Sequence, residues 1–109
     1  MLINTLSIFG TRPEGIKMAP LVSQLGADPR FCSKLCVTGQ HQQMLDPVLN
    51  LFELLPDFNL RVMTDNQDLS HLTAKILTGL VDVFKQYKPD LVLAHGDTTT
   101  TLAATISAY

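Results

Sequence analysis

The sequence predicts an α/β fold built on a parallel sheet with flanking helices, and three observations carry that expectation. Short apolar runs at Leu2–Phe9, Lys34–Thr38 and Leu91–Ala94 read as strands, the first and last apolar enough to be covered on both faces. Each run stops at a glycine turn, at Gly10, Gly39 and Gly96, and a segment with helical spacing follows. Strand and helix therefore alternate along the chain, which implies right-handed crossovers and parallel pairing.

The elements follow in order. After strand 1, Thr11-x-x-Glu14 has the form of a capping box, so a helix is expected from Arg12, carrying Ile16, Met18, Leu21, Val22 and Leu25 and stopping at Gly26. Pro20 falls inside that helix and predicts a bend, because it cannot donate to the carbonyl four residues back. Strand 2 is expected over Lys34–Thr38, followed by polar Gln40-His41-Gln42-Gln43 and a second helix marked by Met44, Leu45, Val48, Leu49 and Phe52. Pro47 there predicts either a second segment capped by Asp46 or a bent helix. Phe58–Val62 reads as a third, shorter strand, and 64–68 as polar loop. From Leu69, the positions Leu69, Leu72, Ile76, Leu80, Val83 and Tyr87 fall in one narrow arc at helical spacing, with His71 on the opposite, solvated face. Leu91–Ala94 is strand 4, His95-Gly96-Asp97 a turn, and a last helix begins at Thr98. If the strands take the common doubly wound order 3-2-1-4, the winding reverses between strands 1 and 4, and ligands bind outside their carboxyl ends. Arg12, His41, His95 and Asp97 would then all arise at one edge.

Composition narrows the function. The 109 residues are 46% hydrophobic and 17% charged, enough for one domain with a core. A net charge of −2 without a Lys/Arg run argues against nucleic acid or an anionic membrane surface as partner, leaving a small molecule. No apolar segment approaches the roughly 20 residues of a membrane span. Met1-Leu2-Ile3-Asn4 has no positive region or cleavage site, so the cytoplasm is the expected compartment. Cys32 and Cys36, four apart, match neither a redox pair nor a zinc knuckle and are read as reduced core residues.

Several residues could carry chemistry. Arg12 starts a helix, where exposed N–H groups and the dipole favour an anion and a guanidinium adds a planar charged fork; it could equally cap a surface turn facing water. The spacing is neither that of a P-loop nor of a dinucleotide fingerprint. Lys17 could join Arg12 or pair with Glu14. Asp97, between Gly96 and the threonines Thr98–Thr101, could orient a sugar hydroxyl or transfer a proton, although an Asp before a helix is a favoured N-cap whatever the function. His95 and Asp97 offer only two metal ligands, so a metal is disfavoured, and His41 has packing as its plain alternative. The chain also reads as interrupted: strand 4 lacks a further neighbour and the last helix stops at Tyr109 without a cap.

Phe9-Gly10-Thr11-Arg12-Pro13-Glu14 with Ile16–Leu21, Val37-Thr38-Gly39-Gln40-His41, and His95-Gly96-Asp97-Thr98-Thr99-Thr100 together resemble the bacterial non-hydrolysing UDP-N-acetylglucosamine 2-epimerase family, in its order and spacing. The resemblance implies two Rossmann-like domains around a cleft, the glycosyltransferase-B-like architecture, with residues 1–109 forming an incomplete N-terminal domain and the C-terminal domain absent. It implies interconversion of UDP-N-acetylglucosamine and UDP-N-acetylmannosamine for surface polysaccharide, by elimination of UDP to a 2-acetamidoglucal and re-addition, with no cofactor. By position it implies Arg12 and Lys17 near the nucleotide phosphates and a catalytic role for Asp97, as acid or base. Gln40, His41 and Gln43 match a segment that binds a second, allosteric UDP-N-acetylglucosamine in some members. A homodimer is implied for the full-length protein, and no turnover for these 109 residues alone. Three positions depart from the family: Gln42 for a common arginine, Gly15 for a common alanine, and Pro47 for a non-proline. The rival expectations are a naturally short, non-enzymatic nucleotide-binding or subunit-pairing module and the N-terminal half of a sugar transferase.

Overall fold

A computed structural model describes residues 2–39, 42–62 and 68–94. Its elements run β1 (Ile3–Phe9), α1 (Arg12–Ala27), β2 (Phe31–Val37), α2 (Gln42–Leu51), β3 (Phe58–Asn59), α3 (Leu69–Gln86) and β4 (Leu91–Leu93). The four strands form one sheet in the order β3-β2-β1-β4, and every neighbouring pair is parallel. This is the expected doubly wound order, with the reversal between β1 and β4.

Alternation along β1 divides the core in two, because successive side chains of a strand point to opposite faces. Leu6 and Ile8, with Cys36 of β2, pack against Leu72, Ile76, Leu80 and Val83 of α3. Phe9, with Leu35 and Val37 of β2, packs against Met18, Ala19 and Val22 of α1 and Leu45, Val48 and Leu49 of α2. Ile76 and Leu80 are fully buried, and each contributes roughly 1.5–3 kcal/mol of apolar burial. The hydroxyls of Thr5 and Ser7, on the Phe9 side of β1, are buried without a hydrogen-bond partner among the described residues.

Several boundaries differ from the sequence expectation. β2 starts three residues early, at Phe31, because Phe31–Ser33 are recruited by pairing with Ile3–Thr5 of β1. β3 covers only Phe58–Asn59, yet Leu60 and Val62 still donate to the carbonyls of Val37 and Thr38, so the ladder continues around Arg61 (φ 52) rather than through it. Leu69 belongs to no core: as the first residue of α3 it is 67% exposed. α1 runs through Pro20 and one residue past Gly26, and Pro20 is exposed, on the side where the carbonyl it deprives can meet water. α2 is likewise one helix through Pro47, not two. It closes when Glu53 takes φ 55, with Glu53 and Leu54 donating to Asn50 and Leu49, a Schellman arrangement that satisfies the last carbonyls. Asp68 caps α3 by accepting from the His71 N–H at 2.8 Å, which with the His71 ring holds its carboxyl below the usual range. His71 is exposed, as its place on the helix predicts. No helix among the described residues is long and apolar enough to cross a membrane.

Candidate functional site

Because β1, β2 and β4 are parallel, the chain leaves each of them at the same edge of the sheet. The turn after β1 is built around one buried carboxylate. Glu14 is buried, and its Oε1 accepts from the Gly10 N–H at 2.9 Å and the Thr11 N–H at 3.1 Å. The glutamate half of the capping box is therefore made, and it takes one donor more than the motif requires. Thr11 and Glu14 together form the capping box that the sequence predicts.

Arg12 is the first residue of α1 and exposed, directly beyond the carboxyl end of β1. Lys17 is exposed on the same helix, and five positions turn it about 140° from Arg12 and about 7.5 Å along the axis. The two cations thus flank the start of α1 rather than form one cluster. Neither has an ion-pair partner among the described residues, and the Lys17–Glu14 pair left open by the sequence is not made. The rest of α1 explains this exposure: Gly15, Met18, Ala19 and Val22 occupy the buried stripe, which turns positions 12, 13, 16 and 17 outward. Gly15 sits at the closest approach of α1 to α2, where a Cβ would lie 2.5 Å from Cδ1 of buried Leu45.

The turn after β2 is built differently. Gly39 has φ 81, and a Cβ on it would lie 2.9 Å from both Cα of Arg61 and Oδ1 of Asn59. Asn59 Oδ1 in turn accepts from the Arg61 N–H at 3.0 Å, an Asx turn that holds Arg61 in the left-handed region. The structure thereby brings a third exposed cation to the carboxyl side of the sheet. Sequence reasoning placed Arg61 inside a strand, and the short Asn59-x-Arg61 polar step was the available signal. A cleft of about 360 Å³ lies nearby, between α2 and the end of β3, lined by Gly39, Leu45, Asp46, Asn50, Pro56 and Asn59. Gln43 is exposed in the first turn of α2. Gln40, His41, His95 and Asp97 lie outside the described residues.

The thiols offer no nucleophile at this edge. Both cysteines are free, and burial pushes Cys36 up to about 12. The chemistry on view is cationic: a rigid turn presenting side chains suited to an anion.

These features define a doubly wound α/β unit with its ligand edge where the winding reverses. Residues 23–109 match the family described as UDP-N-acetylglucosamine 2-epimerase. The chain is similar to the UDP-N-acetylglucosamine 2-epimerase of Escherichia coli K12, 53% identical over 107 residues, which are 98% of this chain and 28% of that protein. Among solved structures, it resembles the Neisseria meningitidis UDP-GlcNAc 2-epimerase bound to UDP-GlcNAc, with TM-score 0.92 and 50% identity over 97% of this chain and 29% of that one. The Methanocaldococcus jannaschii UDP-GlcNAc 2-epimerase in complex with UDP-GlcNAc and UDP is similar at TM-score 0.88 and 30% identity, over 97% of this chain and 29% of that one. The chain belongs to the UDP-N-acetylglucosamine 2-epimerase family and corresponds to the N-terminal part of its members. It spans about 28% of the length of the curated relatives it matches.

Proposed function

We propose that this chain is the N-terminal portion of an enzyme that interconverts UDP-N-acetylglucosamine and UDP-N-acetylmannosamine in the cytoplasm, supplying surface polysaccharide precursors. The observation that carries the reading is the position of Arg12, exposed and without an ion-pair partner among the described residues, at the carboxyl end of β1 beside the reversal point. A guanidinium there matches the geometry of a diphosphate, and relatives of the same fold hold UDP-GlcNAc and UDP.

The chemistry explains why the diphosphate contact matters. C2 of the sugar has no adjacent ketone, so its proton is not acidic enough for direct abstraction. Loss of the C2 proton with breakage of the C1–O bond releases UDP and leaves a 1,2-double bond; UDP then returns to C1 as a proton reaches the opposite face of C2. Negative charge grows on the departing diphosphate in the first step. Arg12, with Lys17 flanking it, is assigned to hold that charge. Asp97 is assigned to the proton at C2, and Gln40, His41 and Gln43 to a second, activating UDP-GlcNAc. A second domain completes the cleft, and the full-length protein is a homodimer.

Purification of the complete gene product and of residues 1–109 tests this reading. The complete protein is expected to form UDP-N-acetylmannosamine from UDP-N-acetylglucosamine, and the short chain to form none. A complete protein that binds UDP but turns nothing over would instead favour a non-enzymatic nucleotide-binding module.

A further inference from the structure

We propose that Glu14 is a positioning residue for the diphosphate contact, locking the β1–α1 turn with its buried carboxylate so that the Arg12 side chain, and not the turn amides, meets the anion. Successive N–H groups in the turn between a strand and a helix could themselves cradle a phosphate. Here the Gly10 and Thr11 N–H groups already donate to Glu14 Oε1, at 2.9 and 3.1 Å. Pro13, the second residue of the helix, has no N–H to offer. The helix start has thus been given an anion from within the chain, on a side chain only 3% exposed. A diphosphate arriving at this edge finds those amides occupied. The guanidinium one residue further on is the charged side chain of the turn placed to receive it.

The same bonds fix where that guanidinium begins. Thr11 is extended, at φ −116 and ψ 161, and immediately precedes Arg12. Anchoring its N–H, and that of the buried Gly10, sets the direction in which the chain enters the helix. Glu14 therefore acts on the ligand through Arg12.

This inference rests on the proposed diphosphate role of Arg12, and a double-mutant cycle separates the two. UDP affinity is measured by calorimetry on the complete, folded gene product carrying Glu14→Ala, Glu14→Gln, Arg12→Ala, and Glu14→Ala with Arg12→Ala. Glu14→Ala is expected to weaken UDP binding about tenfold in the parent and not further once Arg12 is gone, since interacting residues are non-additive. Glu14→Gln keeps an oxygen that can accept both N–H groups and is expected to hold affinity within about threefold of the parent. Should Glu14→Ala fail to fold, Glu14→Asp, whose shorter arm draws the turn inward, goes through the same cycle. Unchanged affinity in Glu14→Ala, or an equal loss with and without Arg12, would overturn the positioning role. Unchanged affinity in Arg12→Ala would overturn the diphosphate reading itself.

Discussion

The two ends of the sheet are held by opposite means. At the amino end, side chains tie the backbone down. Tyr87 Oη donates towards the carbonyl oxygens of Thr5 and Cys32, at 3.0 and 2.8 Å, reaching from the end of α3 across β1 and β2. Asp90 Oδ2 accepts from the Asn4 N–H at 2.8 Å, while the Asp90 N–H returns to the Asn4 carbonyl at 2.7 Å. Arg30, ahead of β2, is spent on Asp28 at 2.7 Å. At the carboxyl end the backbone itself is constrained, by Gly39 at φ 81, Arg61 at φ 52 and the Glu14-bound turn, and Arg12, Lys17 and Arg61 have no ion-pair partner among the described residues. Side-chain hydrogen bonds to the backbone mark the end that only has to hold together. Exposed cations on or beside backbone-locked turns mark the end suited to an anion.

Gly39→Ala attacks the backbone-built end most severely. It adds left-handed strain and drives a Cβ to 2.9 Å from the Arg61 backbone, and we expect a loss of about 3 kcal/mol in chemical unfolding. A loss under about 0.5 kcal/mol would mean that this turn is pliable after all. Tyr87→Phe probes the side-chain-built end by removing one hydroxyl tie, for an expected loss of about 1 kcal/mol with UDP affinity unchanged. A change in affinity would show that the two ends are coupled.

The fold as a whole should be sensitive to alkali. Burial, followed by the Cys32 hydrogen bond, raises Tyr87 from 10.0 to about 12, and burial raises Cys36 from 9.0 to about 12. The folded state therefore holds protons that the unfolded chain has released, so stability falls as pH rises through that window. The stabilisation is complete below pH 9 and lost on the way to 12. Urea midpoints at pH 8, 10 and 11 should decline, and decline less in Tyr87→Phe; a flat profile would refute the assignment. Gly15→Ala is the mildest change. Helix propensity gains about 1 kcal/mol, crowding of Leu45 opposes it, and the net change should stay within about 1 kcal/mol. A loss above about 3 kcal/mol would show that Leu45 cannot yield.

Much of this architecture was legible in the residues. The apolar run Leu2–Phe9 and the stripe from Leu72 to Val83 needed no coordinates, whereas the reversal between strands 1 and 4 was expected only if the strands took the common doubly wound order, because strand order leaves no period in the residues. Phe31–Ser33 were missed because a three-residue extension carries no period of its own and exists through pairing with β1. Leu69 was misplaced because periodicity reports direction around a helix, not whether the sheet reaches that far along it. The cations Arg12 and Lys17 could be named from sequence, but their freedom from Glu14 could not, since it depends on where one buried carboxylate turns. Arg61 was hidden because its conformation comes from Asn59 and from the closeness of Gly39, not from its own preference.

A paired substitution tests the central comparison most directly. UDP affinity of the complete gene product is measured for Arg12→Ala, at the carboxyl end, and for Arg30→Ala, at the amino end. Loss of a charge-assisted contact predicts weakening of about 10- to 100-fold for Arg12→Ala, with Arg30→Ala within about twofold of the parent. Equal affinities in the two variants, or a greater loss from Arg30→Ala, would contradict the account.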